Sequence, residues 1–479
     1  MPHPFPIRFL LPVFVVVLSG GAEAEPDSRE IASAMKRASV FYGEKIARHG
    51  GYVYYTAPDF SKRSGEGIAT ENQIWVQPPG TPSVGLAYLK AHRATGDPYY
   101  LEAALAAADA LIHGQLKSGA WTNLVDFDPK SPRAGLYRNG QGKGRNFSTL
   151  DDDISQAAIQ FLVQLDHATG FKNAKVHESV TIALDALLAA QFPNGAFPQG
   201  WDDAPQPAGL PVDKRANFPN YDWRTEGRIK EYWRQYTLND GLAPAVAKTL
   251  MVAHQAYQHD RYSDALKRLG KFLILAQLPE PQSGWAQQYN YEMQPIWARK
   301  FEPPAVAGRE SEGVIVTLLQ IAAYLRDQQF LKPIPKAIAY LKRSELDGGM
   351  LARYYEVQTN QPLFMERQGK AYSLTYDDSR LPSHYGWKNP SRIQTIEAAW
   401  QGLLKTGKLP DIDQILPPLQ PDPTVAEILA ALDDQGRWIS TFGGELLVGQ
   451  PKFQPGELYI DSAVFCRNLE ILSAALGSR

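Results

Sequence analysis

An all-α fold, an (α/α) toroid of helix hairpins with long rim loops, is predicted by three observations on the sequence. Apolar residues recur at three- and four-residue spacing in segment after segment. The segments come in pairs joined by short polar turns. The second segment of a pair ends in a repeated signature, strongest as a glutamine, a polar turn, then Gly-Ala-aromatic.

Taken in order, residues 1–24 combine one arginine, an apolar run from Phe9 to Leu18 and the small-residue close Ala22-Glu23-Ala24. This is the pattern of a secretory signal peptide cut after Ala24, so export is expected, with a mature chain of residues 25–479. Thr81 to Asp97 reads as a first helix, and Tyr99 to Trp121 as its partner with the first marker turn at Gly119. Asp153 to Gly170 and Val180 to Phe197 repeat the pair, with Gly195 as the second marker. A third copy closes at Gly284-Trp285, and weaker ones at Gly348 and Gly436. Amphipathic helices of this kind cannot bury their faces alone, so neighbouring pairs stack. Unequal marker spacing argues against an open solenoid and for a toroid of inner helices ringed by outer ones. A single catalytic domain over 25–479 is therefore expected.

Composition excludes several roles. The chain has 49 basic and 51 acidic residues and a formal charge of −2, so no broad electrostatic field favours nucleic acid or a membrane surface. A polyanionic ligand would need local cations or metal ions. Cys466 is the only cysteine, which excludes an intrachain disulfide; its apolar surroundings mark it as core. A monomer is the expectation.

If the inner helices share one direction, their N-termini share one rim, and the loops after each marker crowd it. Two of those helix starts carry aspartates. In FSTLDDDIS, Asp151 continues backwards the apolar stripe of Ile154, Ala158, Phe161 and Leu165, whereas Asp152 and Asp153 rotate away and suit capping and the helix dipole. In YTLNDGLAPAVAKTL, Asp240 continues the stripe of Ala243, Ala247 and Leu250. An inward carboxylate needs a cation, a metal or a ligand. Further along the same stripe, His254 lies far from the rim and reads as a hydrogen-bonded core histidine. The loop after Gly284 brings Arg299, Lys300 and Arg309 towards the rim; Arg299 could equally form an ion pair with Glu302. The next loop adds Arg367 and Arg380, with Tyr385 and Trp387 nearby. Carboxylates, arginines and aromatic rings on one rim suit an acidic sugar.

At these residues the sequence resembles the family-10 polysaccharide lyases, the pectic acid lyase family. Three blocks carry the likeness: Thr149 to Leu165 with the later AAQFPNGAFPQGW, Tyr236 to Asp240, and Trp285 to Ser311. It is strongest over residues 146–387. The resemblance implies a pectate lyase that cleaves galacturonan by β-elimination, with Arg299 as catalytic base. It further implies that Asp151 and Asp240 serve Ca2+ and substrate, and that Lys300, Arg367 and Arg380 meet substrate carboxylates. The sequence departs from the family where Asp-Asn-Gly becomes Asp151-Asp152-Asp153 and where Gln-His-Asp becomes Gln288-Tyr289-Asn290. Two other classes fit the rim: a glycoside hydrolase using Asp151 and Asp240 as acid and base, and a non-catalytic uronan-binding homologue.

Overall fold

The helix pairs read from the periodicity are present. The computed structural model describes residues 27–477 except positions 205, 419, 446, 448, 450 and 452; the expected signal peptide lies outside them. Its helices are α1 (Ser28–Phe41), α2 (Thr81–Thr95), α3 (Pro98–His113), α4 (Ile154–Ala168), α5 (Ala174–Ala190), α6 (Leu242–Tyr257) and α7 (Asp260–Leu275). They continue as α8 (Gly308–Leu325), α9 (Ile334–Arg343), α10 (Ile393–Thr406), α11 (Ile412–Ile415), α12 (Val425–Ala430) and α13 (Ser462–Gly477). None is long and apolar enough to cross a membrane.

Contacts sort these helices into two rows. In the first row α13 packs on α2, α2 on α4, α4 on α6, α6 on α8 and α8 on α10. In the second, α3, α5, α7 and α9 each lie against the first-row helix that precedes them, and α1 lies against α13. First-row helices α4 and α8 are buried along most of their surface, down to polar positions such as Gln156, Gln160 and Thr317. One continuous apolar core runs through both rows, from Ile31 near the start to Leu472 near the end. Cys466 is buried in it. Among the described residues no contact of similar extent joins α10 to α13.

The repeated signature has a structural reason. Gln115 donates to the carbonyl of Gly119 in its own turn and to Ser179 of the next second-row helix. Gln191 does the same with Gly195 and Ala265. Gln277 does so with Ser283 and Pro333. The tryptophan after the glycine folds back, Trp121 donating its indole N–H to Leu111, Trp285 to Leu273 and Trp438 to Ile428. The glycine seats the turn against the following helix: a Cβ on Gly195 would overlap the carbonyl of Arg268 in α7, and one on Gly436 would press on Arg37 of α1. The same seating occurs at Gly50 against Ala106 of α3, a sixth turn that the sequence signature does not reveal.

Short strands tie the rim together. Ser148–Thr149, leading into α4, pairs with Gly200–Trp201 after the second marker. Tyr236–Thr237, leading into α6, pairs with Gln288–Tyr289 after the third. Ala305–Ala307, leading into α8, pairs with Tyr354–Glu356 after the fourth. At two or three residues each, these strands leave no periodic trace in the sequence. They nevertheless hold the loop after each turn beside the N-terminus of a first-row helix.

Candidate active site

Asp151 and Asp240 do not continue their helices backwards. After the strand pairs just described, the chain makes one tight 3-10 turn before each helix begins. The two turns superpose in conformation: Asp152 has φ 47° and ψ 39°, and Asp240 has φ 50° and ψ 36°. The next residues are also left-handed, Asp153 at φ 61° and Gly241 at φ 73°. In backbone terms Asp152, not Asp151, is therefore the counterpart of Asp240. Left-handed aspartates are costly away from a function or a strong tertiary constraint. The expected capping role of Asp152 and Asp153 is not formed, since neither side chain caps α4. Thr149 instead accepts the Asp151 N–H.

The two turns meet the third block at one guanidinium. Arg299 Nη2 lies 3.0 Å from Asp151 Oδ2 and 3.3 Å from Asp240 Oδ2. Glu302, buried, accepts the Arg299 backbone N–H at 2.8 Å and lies 3.6 Å from Nη1. A second arginine stands behind them: Arg353, with only 2% of its side chain exposed, approaches Asp240 and Glu310 at 3.4 Å each. Its guanidinium covers the ring of Tyr385 at 3.7 Å. The Tyr385 hydroxyl donates to Glu302 at 2.8 Å, and Tyr385 itself is held at φ 117°. Asn239 donates to both Asp240 and Glu302.

Charge in this group is unevenly compensated. Burial lifts the Asp151 carboxyl to about 6; Arg299 opposes the rise and Asp240 adds to it. Asp152, though its side chain reaches solvent, is raised to about 7 by desolvation and then by Asp151 and Asp240. Burial works to lower the Arg299 pKa, but Glu302, Asp151 and Asp240 outweigh it and hold the guanidinium firmly protonated. Arg353 is likewise held charged, with burial opposed chiefly by Glu310.

Asp151, Asp152 and Asp240 can each offer an oxygen, with all three oxygens within 4.8 Å of one another. That span is about twice a calcium–oxygen distance of ~2.4 Å, and carboxylate oxygens are the donors a hard cation takes. The donor set fits calcium. Two of these aspartates now share their oxygens with Arg299, so a cation there and the guanidinium compete for the same atoms.

The remaining cations lie further out. Lys300 is exposed on the turn beside Arg299. Arg367 donates to the carbonyl of Gly369 and lies over Tyr372, whose ring packs on Phe301. Arg380 is highly exposed and pairs with Glu366. None of these three has an ion pair or hydrogen bond to the carboxylate cluster among the described residues. Arg309 is exposed and lines a separate small cavity with Arg392. His254 is half-buried and hydrogen-bonded to Tyr324, at 2.8 Å.

A model of the pectic acid lyase family matches residues 115–349. They include both acidic turns and Arg299, and end four residues before Arg353. No curated protein matches the chain. Among solved structures, a mutant of the family 10 polysaccharide lyase from Cellvibrio cellulosa, in complex with trigalacturonic acid, is 18% identical, with 68% of this chain and 98% of that chain covered and a TM-score of 0.46. A D-mannose isomerase is 13% identical over 95% of this chain and 100% of that chain, with a TM-score of 0.48. Cellobiose 2-epimerase from Bacillus thermoamylovorans B4167 is 13% identical over 93% and 99%, with a TM-score of 0.47. The family match supports a polysaccharide-acting lyase.

Proposed function

We propose that this is a secreted pectate lyase that cleaves polygalacturonate by calcium-assisted β-elimination on an (α/α) toroid. The observation that carries the reading is the meeting of three separate sequence blocks at Arg299, within 3.3 Å of both Asp151 and Asp240. Calcium held by Asp151, Asp152 and Asp240 would neutralise the uronate carboxylate and acidify the proton on C5. Arg299 is the base: the C5–H bond breaks, its electron pair forms the C4–C5 double bond, and the C4 oxygen leaves. Lys300, Arg367 and Arg380 are assigned to substrate carboxylates further along the chain, from the outer positions they occupy.

A protonated arginine cannot accept a proton, so the carboxylates around Arg299 oppose catalysis in the free protein. The oxygens that would hold the cation are the ones that hold Arg299, which couples loading of the site to release of the guanidinium. Arg353 remains as a buried positive neighbour and lowers the cost of proton loss from Arg299.

The test is ultraviolet absorbance of unsaturated uronate during incubation with polygalacturonate, first with calcium and then with chelator. Calcium-dependent growth of the signal, abolished in Arg299→Ala, is the expected result. New reducing ends without unsaturated product would overturn the reading and favour hydrolysis, with Asp151, already raised to about 6, as the acid. Neither product would favour the non-catalytic binding homologue.

A further inference from the structure

A cavity of about 340 Å³ is lined among others by Thr122, Asn123, Arg133, Arg145 and Phe147. Two connections link it to the acidic turn before α4. On one side the Asn123 carbonyl accepts the Gln77 N–H, and the Gln77 side chain donates to Asp152 at 3.1 Å. On the other, Phe147 belongs to the segment that runs through Ser148–Thr149 into Asp151.

Arg145 is the unusual member. Its guanidinium lies 4.0 Å from the centre of the Phe147 ring and 5.7 Å from that of Trp233. Trp233 packs edge-on against Tyr232, which itself neighbours Arg299. Among the described residues the Arg145 guanidinium has no carboxylate within ion-pair distance and donates no hydrogen bond. Most other arginines near the rim are committed, Arg299 and Arg353 to carboxylates and Arg133 to Ile68 and Gln73. Asp202 feels its charge but is itself paired with Arg234, so an exposed arginine held over aromatic rings with no ion-paired carboxylate keeps its donor fork for an incoming anion. The rings that hold it also offer faces to a pyranose.

We propose that this cavity is a subsite for an acidic sugar residue away from the scissile bond, with Arg145 reading its carboxylate. The assignment rests on the uronan reading of the site and extends it to a named position. The carboxylate is held by the guanidinium fork, Thr122 and Asn123 offer polar contacts to ring hydroxyls, and Phe147 supports the arginine. No covalent step is involved. The subsite acts on affinity and on the length of chain recognised.

The experiment is calorimetric titration of oligogalacturonates of increasing length into full-length Arg299→Ala protein and into the same protein carrying Arg145→Ala. Working on a form without the proposed base separates binding from turnover. Longer oligomers are expected to lose about tenfold in affinity through Arg145→Ala, the scale of one lost charge-assisted contact. The shortest oligomer that binds loses little, and Arg145→Lys restores part of the loss. An equal loss for a neutral galactan oligosaccharide would overturn charge reading, and unchanged affinity at every length would overturn the subsite. Either result would leave the lyase reading intact, since that stands or falls on unsaturated product from the unmodified protein. Absence of oligogalacturonate binding at any length would sink the subsite and the uronan class together.

Discussion

At the residue scale, the centre is a contest for two aspartates. Asp151 and Asp240 hold Arg299 in the free protein, and with Asp152 they form the oxygen set suited to a cation. Asp152 makes no contact with Arg299 and accepts from Gln77, so its charge is the least committed of the three. Replacing it tests the cation site with little disturbance of the arginine. Asp152→Asn is expected to raise the half-saturating calcium concentration about tenfold, because carboxylate charge sets affinity at such sites. Calcium titration followed by calorimetry reads this directly, and an unchanged midpoint would remove Asp152 from the site. The family pattern has asparagine at this place, so the extra charge belongs to this chain. Arg353 has a sequence signal only in hindsight: it lies five residues after the marker Gly348, in a loop bound for the rim. Its importance comes from burial against Asp240 and Glu310, which no spacing rule announces.

At the element scale, the marker turns explain why a weak repeat specifies a definite stack. Each glutamine joins its own turn to the following helix, and each glycine lets that turn approach. Gly195 is the tightest case, with φ 94° and the carbonyl of Arg268 where a Cβ would stand. Gly195→Ala is expected to cost about 3 kcal/mol or more, since it combines a left-handed backbone with a backbone overlap. Gly348, at φ 76° with open space around it, provides the control. Gly348→Ala should cost only about 1 kcal/mol, the left-handed term alone. Chemical denaturation of both variants checks the pair, and equal losses would show that seating on α7 contributes nothing. The same scale accounts for the position of the aspartates. Helical periodicity extends backwards through FSTLDDDIS in the sequence, whereas a strand pair and a left-handed turn intervene there in the structure. Asp151 reaches Arg299 through that turn and not through a helical stripe.

At the scale of the whole molecule, the first-row arc ends where α8 meets α10, and a buried carboxyl sits at that joint. Glu312 of α8 accepts the backbone N–H of Arg392 at 2.6 Å, just before α10. Burial raises its pKa from an ordinary 4.5 to about 7, while that hydrogen bond and the Arg392 charge oppose the rise. A raised acid pKa means that the unfolded chain gives up the proton first. Stability is therefore fully present below about pH 4.5 and falls as pH rises towards 7, by up to ~3 kcal/mol. Glu312→Gln should accordingly leave the melting temperature little changed at pH 4.5 and raise it at pH 8. A gain of equal size at both pH values would rule out ionisation as its cause.

Hydrophobic periodicity and the Gln-turn-Gly-aromatic signature determined the helix pairs, their order and the shared rim, because each is a local pattern with a local cause. The motif blocks likewise marked Asp151, Asp240 and Arg299, since those residues stand in recognisable strings. Tertiary structure alone decided the rest. It placed Asp152 beside Asp151 and Asp240, buried Arg353 behind Asp240, left Arg367 and Arg380 outside the cluster, and stationed Arg145 on its aromatic rings. These outcomes depend on two-residue strands, left-handed turns and contacts between residues more than fifty positions apart. None of them leaves a period or a motif along the chain, and so the fold was readable before the charge balance of its site.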